Sequence, residues 1–301
     1  MKHLLKLGDL STEEITSILN LADQLKYERE NGIEHHLLKG KFLGMIFQKS
    51  STRTRVSFEV GIRELGGTGL FLSSRDLQIG RGEPVEDTAR VLSRYLQGIM
   101  IRTFDQREVE DLAKYGSIPI INGLTDYAHP CQVLADLMTI RERRQKLSGL
   151  KLCFIGDGNN MANSLIVGCI KMGMSVSIAC PEGFEPDRGI MAWAQENGEF
   201  ICTDDITAAA SGADVIYTDV WASMGQESEW EKRSALFKSY QVNRQVMNSA
   251  APGAIVLHCL PAHRGEEITA EIFDEHADEI FDEAENRLHA QKAVMVKLMA
   301  D

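Results

Sequence analysis

The chain has 301 residues, 44% hydrophobic and 25% charged, with a formal net charge of −12. That length fits about two domains, and the apolar content suffices for sizeable cores. So acidic a chain lacks the basic surface that nonspecific nucleic-acid or anionic-membrane binding requires, and no run approaches the roughly 18 apolar residues of a membrane span. Neither nucleic acid nor membrane is therefore an expected partner. The six cysteines (131, 153, 169, 180, 202 and 259) show no C-x-x-C spacing, and most lie in apolar runs. They read as reduced thiols of a cytoplasmic protein rather than a disulfide framework. Met1 to Asp9 carry no apolar signal core.

Ser11-Thr12-Glu13-Glu14 has the capping-box pattern and opens an amphipathic helix to about residue 31. Short apolar strands then alternate with helices: strand 42–47, a helix from 53, strand 68–72, a helix from 86, strand 98–102, a helix from 107, strand 118–121 and a helix over 130–146. Ser148-Gly149 interrupts the series. A second one follows: strand 151–155, a helix from 162, strand 175–179, helix 186–197, strand 199–202, buried strands 214–220 and 254–260, and a last helix over 283–299. Such alternation predicts an α/β class of two doubly wound parallel-sheet domains, 1–149 and 150–301, with an active-site crevice between them. The last helix is long enough to cross back to the first domain. Ligands of such sheets bind beyond the carboxyl ends of strands, where the polar motifs of this chain lie.

The first motif is Ser51-Thr52-Arg53-Thr54-Arg55, between a strand and a helix. Helix-start N–H groups, hydroxyls and two guanidiniums suit a phosphate; a Ser/Thr cap with solvated arginines is the alternative. Arg102 closes a strand. Asp126-Tyr127-Ala128-His129-Pro130-Cys131-Gln132 follows, with Pro130 suited to a first helical position. His129 can donate to a developing oxyanion and Gln132 can bind an amide, although a capping turn with an incidental histidine has the same pattern.

S-S-T-R-T-R, a strand-end arginine and H-P-C-Q, in that order, resemble the carbamoyl-phosphate-binding half of the aspartate/ornithine carbamoyltransferase family. The resemblance runs to Arg287 and beyond. It implies that Ser51, Thr52, Arg53, Thr54 and Arg102 bind carbamoyl phosphate, that Thr54, Arg102 and His129 polarise its carbonyl, and that Gln132 holds its amide. Gln78-Ile79-Gly80-Arg81-Gly82-Glu83 resembles the family loop that reaches a neighbouring subunit's site, with Gln78 at a phosphate contact. Pro84 stands where many members have serine, and no role attaches to it. Domain 1–149 is then the carbamoyl-phosphate domain.

In the second half, Asp219-Val220-Trp221-Ala222-Ser223-Met224-Gly225 resembles the family's ornithine-binding loop, which implies ornithine contacts for Asp219, Ser223 and Met224. By position alone, Asp219 could instead cap a helix near 227. Gly156-Asp157-Gly158-Asn159-Asn160 could be read as a dinucleotide turn, but the acidic partner of that fingerprint is absent. Its asparagines suit a substrate carboxylate, and Asn160 is the one assigned to ornithine. His258-Cys259-Leu260-Pro261 resembles the family's ornithine signature, implying that Cys259 and Leu260 line the site where amine and carbamoyl group meet. The adjacent His-Cys makes no tidy zinc chelate, so no metal is expected. Arg287 matches a second-domain carbamoyl-phosphate contact, where position alone would leave it a solvated helix side chain.

The resemblance thus implies transfer of a carbamoyl group from carbamoyl phosphate to the δ-amine of L-ornithine, without a cofactor, by a homotrimer or assembly of trimers with shared sites. Arg102, His129 and Cys259 are the catalytic candidates. A sister enzyme acting on putrescine or an acylated ornithine, a nicotinamide-dependent oxidoreductase and a non-catalytic paralogue are the competing readings.

Overall fold

The computed structural model describes residues 1–74, 77, 82–222 and 230–300. They form two compact units, Met1–Ala135 with Arg287–Asp301, and Asp136–Asn286.

In the first unit, α1 (Thr12–Glu30) opens with both halves of its capping box formed at Ser11 and Glu14. Then come β1 (Phe42–Phe47), α2 (Thr52–Glu64), β2 (Thr68–Ser73), α3 (Val85–Leu92), β3 (Gly98–Arg102), α4 (Gln106–Tyr115), β4 (Ile120–Leu124) and α5 (Pro130–Arg144). The strands make one parallel sheet in the order β2-β1-β3-β4. β1 is buried at five consecutive positions, as a central parallel strand must be, whereas the edge strand β2 is partly exposed throughout. Ile46, Ile99, Ile101, Val109 and Leu112 belong to one core cluster beneath α3 and α4.

The second unit holds β5 (Lys151–Ile155), α6 (Asn160–Lys171), β6 (Ser175–Ala179), α7 (Arg188–Asn197), β7 (Phe200–Thr203), α8 (Ile206–Ala210), β8 (Val215–Thr218), α9 (Trp230–Phe237), α10 (Arg244–Ser249), β9 (Ile255–His258) and α11 (Ala270–Glu275). Its parallel order is β7-β6-β5-β8-β9. The last helix, α12 (Ala277–Met299), starts in this unit, and its residues from Arg287 onward belong to the first. Gly98 receives the end of α12 so closely that an added Cβ would lie 2.8 Å from Met299 Sδ. Both units are the expected α/β parallel-sheet type, with helices on both sides of each sheet. The division at Ala135/Asp136 falls within α5, and the sequence-based boundary at 149 lies beyond that helix.

Among the elements whose extent differs from the sequence expectation are β4, α12, β8 and β9. β4 begins at Ile120 rather than 118, because Pro119 has no N–H for the ladder. α12 begins at Ala277 rather than 283; its acidic first turn, favourable at a helix N-terminus, hides the apolar periodicity. β8 and β9 end at Thr218 and His258, so Asp219 and Cys259 leave the ladder instead of pairing within it.

Candidate active site

In the first unit the sheet order reverses between β1 and β3, where doubly wound sheets open a binding crevice at their carboxyl ends. Ser51 caps α2, its Oγ accepting from Thr54 N at 3.2 Å and donating to Thr54 Oγ1 at 3.1 Å. Thr52 and Arg53 are exposed on the first helical turn, while Thr54 is buried. Arg102, at the end of β3, is buried, and its carbonyl accepts from Gln48 N at 2.9 Å. That bond ties the start of the Ser51 segment to the neighbouring strand.

His129 and Gln132 flank the start of α5, and both are buried. Arg287 Nη1 donates to Gln132 Oε1 at 2.7 Å, and its Nη2 donates to Thr54 Oγ1 at 3.4 Å and to Gln291 Oε1 at 2.8 Å. Thr54, Gln132 and Arg287, expected from three distant segments, therefore share one hydrogen-bond network. Burial, with Arg287 and Arg102 nearby, pushes the His129 pKa well below its ordinary value. His129 is thus a neutral imidazole with an N–H for a carbonyl oxygen. Lys49, which sequence reading left unassigned, is buried beside this segment, ion-paired with Asp126 and 4.3 Å from the Phe104 ring centroid.

The second unit repeats the design. Its order reverses between β5 and β8, and the polar residues follow β5, β8 and β9. Asn159 caps α6 through Oδ1 and donates from Nδ2 to Asp219 Oδ2 at 2.9 Å. Asp219 is only 7% exposed; its Oδ1 accepts from Cys259 Sγ at 3.0 Å and from Val220 N at 2.8 Å. Burial and the Asp219 carboxylate push the Cys259 pKa well above its ordinary value, so the side chain is a thiol and a donor. Leu260 has φ 58°, a left-handed backbone that a side chain adopts at a cost of about 1–2 kcal/mol. The Leu260-Pro261 bond is cis.

Asn159 makes the contact with Asp219, and Asn160, the residue assigned to ornithine, is the first residue of α6. The Asn-Asn pair was the available signal, and only cap geometry separates its members. Arg233 also escaped sequence reading. It is buried, pairs with Asp157, and donates from Nε to the Trp221 carbonyl at 2.6 Å. Gln78, Ser223 and Met224 lie outside the described residues.

The glycine turn has a structural reason of its own. A Cβ on Gly158 would lie 2.3 Å from Pro186 N, and the Gly158 N–H is engaged by Phe184 O at 2.8 Å. Close chain packing therefore requires this glycine. Asp219, His258 and Cys259 bring potential metal-ligand atoms within 4.8 Å of one another, as do His263, Glu266 and Glu267. Both ring nitrogens of His258 are already hydrogen-bonded, so it would ligate only by giving one bond up. Among the described residues no helix is long and apolar enough to cross a membrane.

Two family models match the chain. The carbamoyl-P binding domain of aspartate/ornithine carbamoyltransferase matches residues 2–142, and the Asp/Orn binding domain matches residues 148–298. An ornithine carbamoyltransferase of Thermococcus kodakarensis is 54% identical, over 99% of this chain and 96% of that protein. The solved ornithine carbamoyltransferase of Pyrococcus furiosus is 51% identical with a TM-score of 0.95, covering 99% of this chain and 97% of that one. An anabolic ornithine carbamoyltransferase structure from Campylobacter jejuni is 43% identical, with a TM-score of 0.93 and 99% of each chain covered.

Proposed function

The chain belongs to the aspartate/ornithine carbamoyltransferase family, and we propose that it transfers the carbamoyl group of carbamoyl phosphate to the δ-amine of L-ornithine, giving L-citrulline and phosphate. What carries ornithine over its sister amines is the pairing of Asp219 with Cys259, from the two segments that resemble the ornithine-specific motifs. The names of the relatives support the same reading, and the anabolic relatives support a direction toward citrulline, as in arginine biosynthesis.

Carbamoyl phosphate is already activated, so the chemistry requires neither cofactor nor covalent nucleophile. Ser51, Thr52, Arg53, Thr54 and Arg102 hold the phosphate, with Arg287, Gln132, Cys259 and Leu260 on the rest of that substrate. The neutral δ-amine attacks the carbonyl carbon. Thr54, Arg102 and neutral His129 donate to the oxyanion that forms, a contribution worth about 10²–10³ in rate per donor. The new C–N bond forms, the C–O bond to phosphate breaks, and the amine proton leaves with the phosphate. Asp219, Asn160, Ser223 and Met224 hold ornithine. Cys259 acts as a neutral donor that orients Asp219, because its raised pKa disfavours a thiolate.

We infer a cytoplasmic homotrimer, or an assembly of trimers, in which Gln78 reaches a neighbour's site. Two features of the first unit support this. Val56, Val60, Leu70 and Phe71 expose apolar surface on α2 and the edge strand β2. Beside them, Ser51, Thr52, Arg55 and Ser74 line a cavity of about 410 Å³ that a partner's loop could enter.

The rate of carbamoyl transfer to ornithine, putrescine and N-acetylornithine at equal concentration, read as phosphate release and as citrulline, N-carbamoylputrescine or N-acetylcitrulline formed, tests the assignment. Ornithine is expected to be preferred by at least a hundredfold, and a preference for either other amine would overturn it.

A further inference from the structure

Two of the six cysteines touch on the sheet of the second unit. Cys202 lies in β7, the edge strand, where it stands opposite Ile178 of β6. Cys180 comes two residues after Ile178, and Cys180 N donates to Thr203 O at 3.1 Å, so the chain is still extended there. Side chains two apart share a face of a sheet, which puts Cys180 and Cys202 on the same side. Their Sγ atoms lie 3.7 Å apart, and both are free thiols. Cys180 is 3% exposed while Cys202 is half-buried, so a small oxidant reaches the pair at Cys202. The hydrogen bond from the Cys180 thiol holds the Cys202 pKa below its ordinary value, which favours the reactive thiolate.

Cys180 also stands between the two carbonyls that seat the glycine turn after β5. On one side of it, Ala179 O accepts from Gly156 N at 3.0 Å; on the other, Phe184 O accepts from Gly158 N at 2.8 Å. Asn159, next along that turn, donates to Asp219 Oδ2 at 2.9 Å. Because β6 lies between β7 and β5, any pull of Cys180 toward Cys202 draws it away from the turn. We propose that Cys180 and Cys202 are a site of reversible oxidation, which a peroxide closes to a disulfide, and that closure weakens ornithine binding by shifting the turn that carries Asn159. The Cys202 thiolate attacks a peroxide oxygen; the S–O bond forms, the O–O bond breaks, hydroxide leaves and a sulfenic acid remains. The Cys180 sulfur then attacks the Cys202 sulfur; the S–S bond forms, the S–O bond breaks, and the hydroxyl leaves as water with the Cys180 proton. The two sulfurs lose two electrons in all, and the peroxide takes them up. A thiol reductant returns both thiols by exchange.

This inference rests on the ornithine site proposed above. The full-length protein is treated with hydrogen peroxide, quenched with catalase and digested with trypsin without reduction. Cleavage after Arg188 separates the two cysteines, so a disulfide between them appears as two linked peptides. A Cys180–Cys202 link is expected, and dithiothreitol should remove it. Ornithine KM is expected to rise at least threefold in the oxidised protein and to return to its starting value after dithiothreitol. Cys202→Ser leaves every other oxidisable side chain in place, and its ornithine KM should match that of reduced wild type both before and after peroxide. Cys180→Ala makes the same test from the other sulfur. Loss of the Cys202 thiol to peroxide without a linked peptide would overturn the proposal. So would a linked peptide with ornithine KM raised less than threefold, or a Cys202→Ser protein as sensitive as wild type. Failure of the underlying function reads differently: reduced wild type would then make no citrulline, while the linked peptides, read without substrate, still decide whether the disulfide forms.

Discussion

Cys259 donates a 3.0 Å hydrogen bond from its thiol to Asp219 Oδ1. The two residues follow different strands, β9 and β8, and meet only because both chains leave the ladder there. The bond and the burial together hold the sulfur protonated. Cys259 is therefore expected to alkylate slowly at neutral pH, since the thiolate is the nucleophile. Cys202, half-buried, has its pKa lowered by the Cys180 thiol 3.7 Å away. Timed iodoacetamide labelling read by peptide mass spectrometry should mark Cys202 before Cys259; the reverse order contradicts the protonation assigned to the site.

Arg287 places both η nitrogens in fixed hydrogen bonds, to Gln132 and Thr54. A lysine keeps the charge but cannot supply that planar fork. Arg287→Lys is expected to lower kcat/KM for carbamoyl phosphate by tenfold or more, with ornithine KM changed less. The check is initial-rate kinetics with each substrate varied in turn.

His289 is buried on α12, and burial with Lys26 and Lys292 nearby lowers its pKa from 6.5 to about 3. The folded protein therefore refuses a proton that the unfolded chain accepts. The stability contribution is full above pH 6.5 and is lost as pH falls from there toward about 3. Between about pH 6.5 and 5, before most carboxylates titrate, wild-type stability should decline with acidification and His289→Leu should decline less. Urea unfolding at several pH values reads the difference, and parallel curves would contradict it.

Gly158→Ala would drive a methyl group into the backbone of Glu185 and Pro186, at 2.4 and 2.3 Å. Backbone cannot rotate away as a flexible side chain can, so the expected loss is about 3 kcal/mol, at the upper end of overpacking costs. Denaturant midpoints measure it. A neutral result would remove the packing explanation of this glycine.

Much of this molecule is legible in its sequence, and what is not follows from what a linear pattern carries. β1, β3, β5 and β6 have the expected bounds, because buried parallel strands are continuous apolar runs bounded by polar turns. Short α8, α10 and α11 escaped, since five or six residues cannot display a helical period. In the site, Thr54, Gln132 and Arg287 were assigned as separate contacts; their shared hydrogen bonds depend on tertiary placement. That Asn159 rather than Asn160 takes the cap is not legible either, because it depends on the residue at which the helix starts.

Citrulline and phosphate release by wild type and Arg53→Ala, side by side with carbamoyl phosphate and ornithine, tests the central claim most directly. Arg53 is exposed on the first turn of α2, so its loss should leave the fold intact. The account predicts equal amounts of citrulline and phosphate from wild type, and a rate at least a hundredfold lower from Arg53→Ala. No citrulline from wild type, or equal rates from the two proteins, would contradict it.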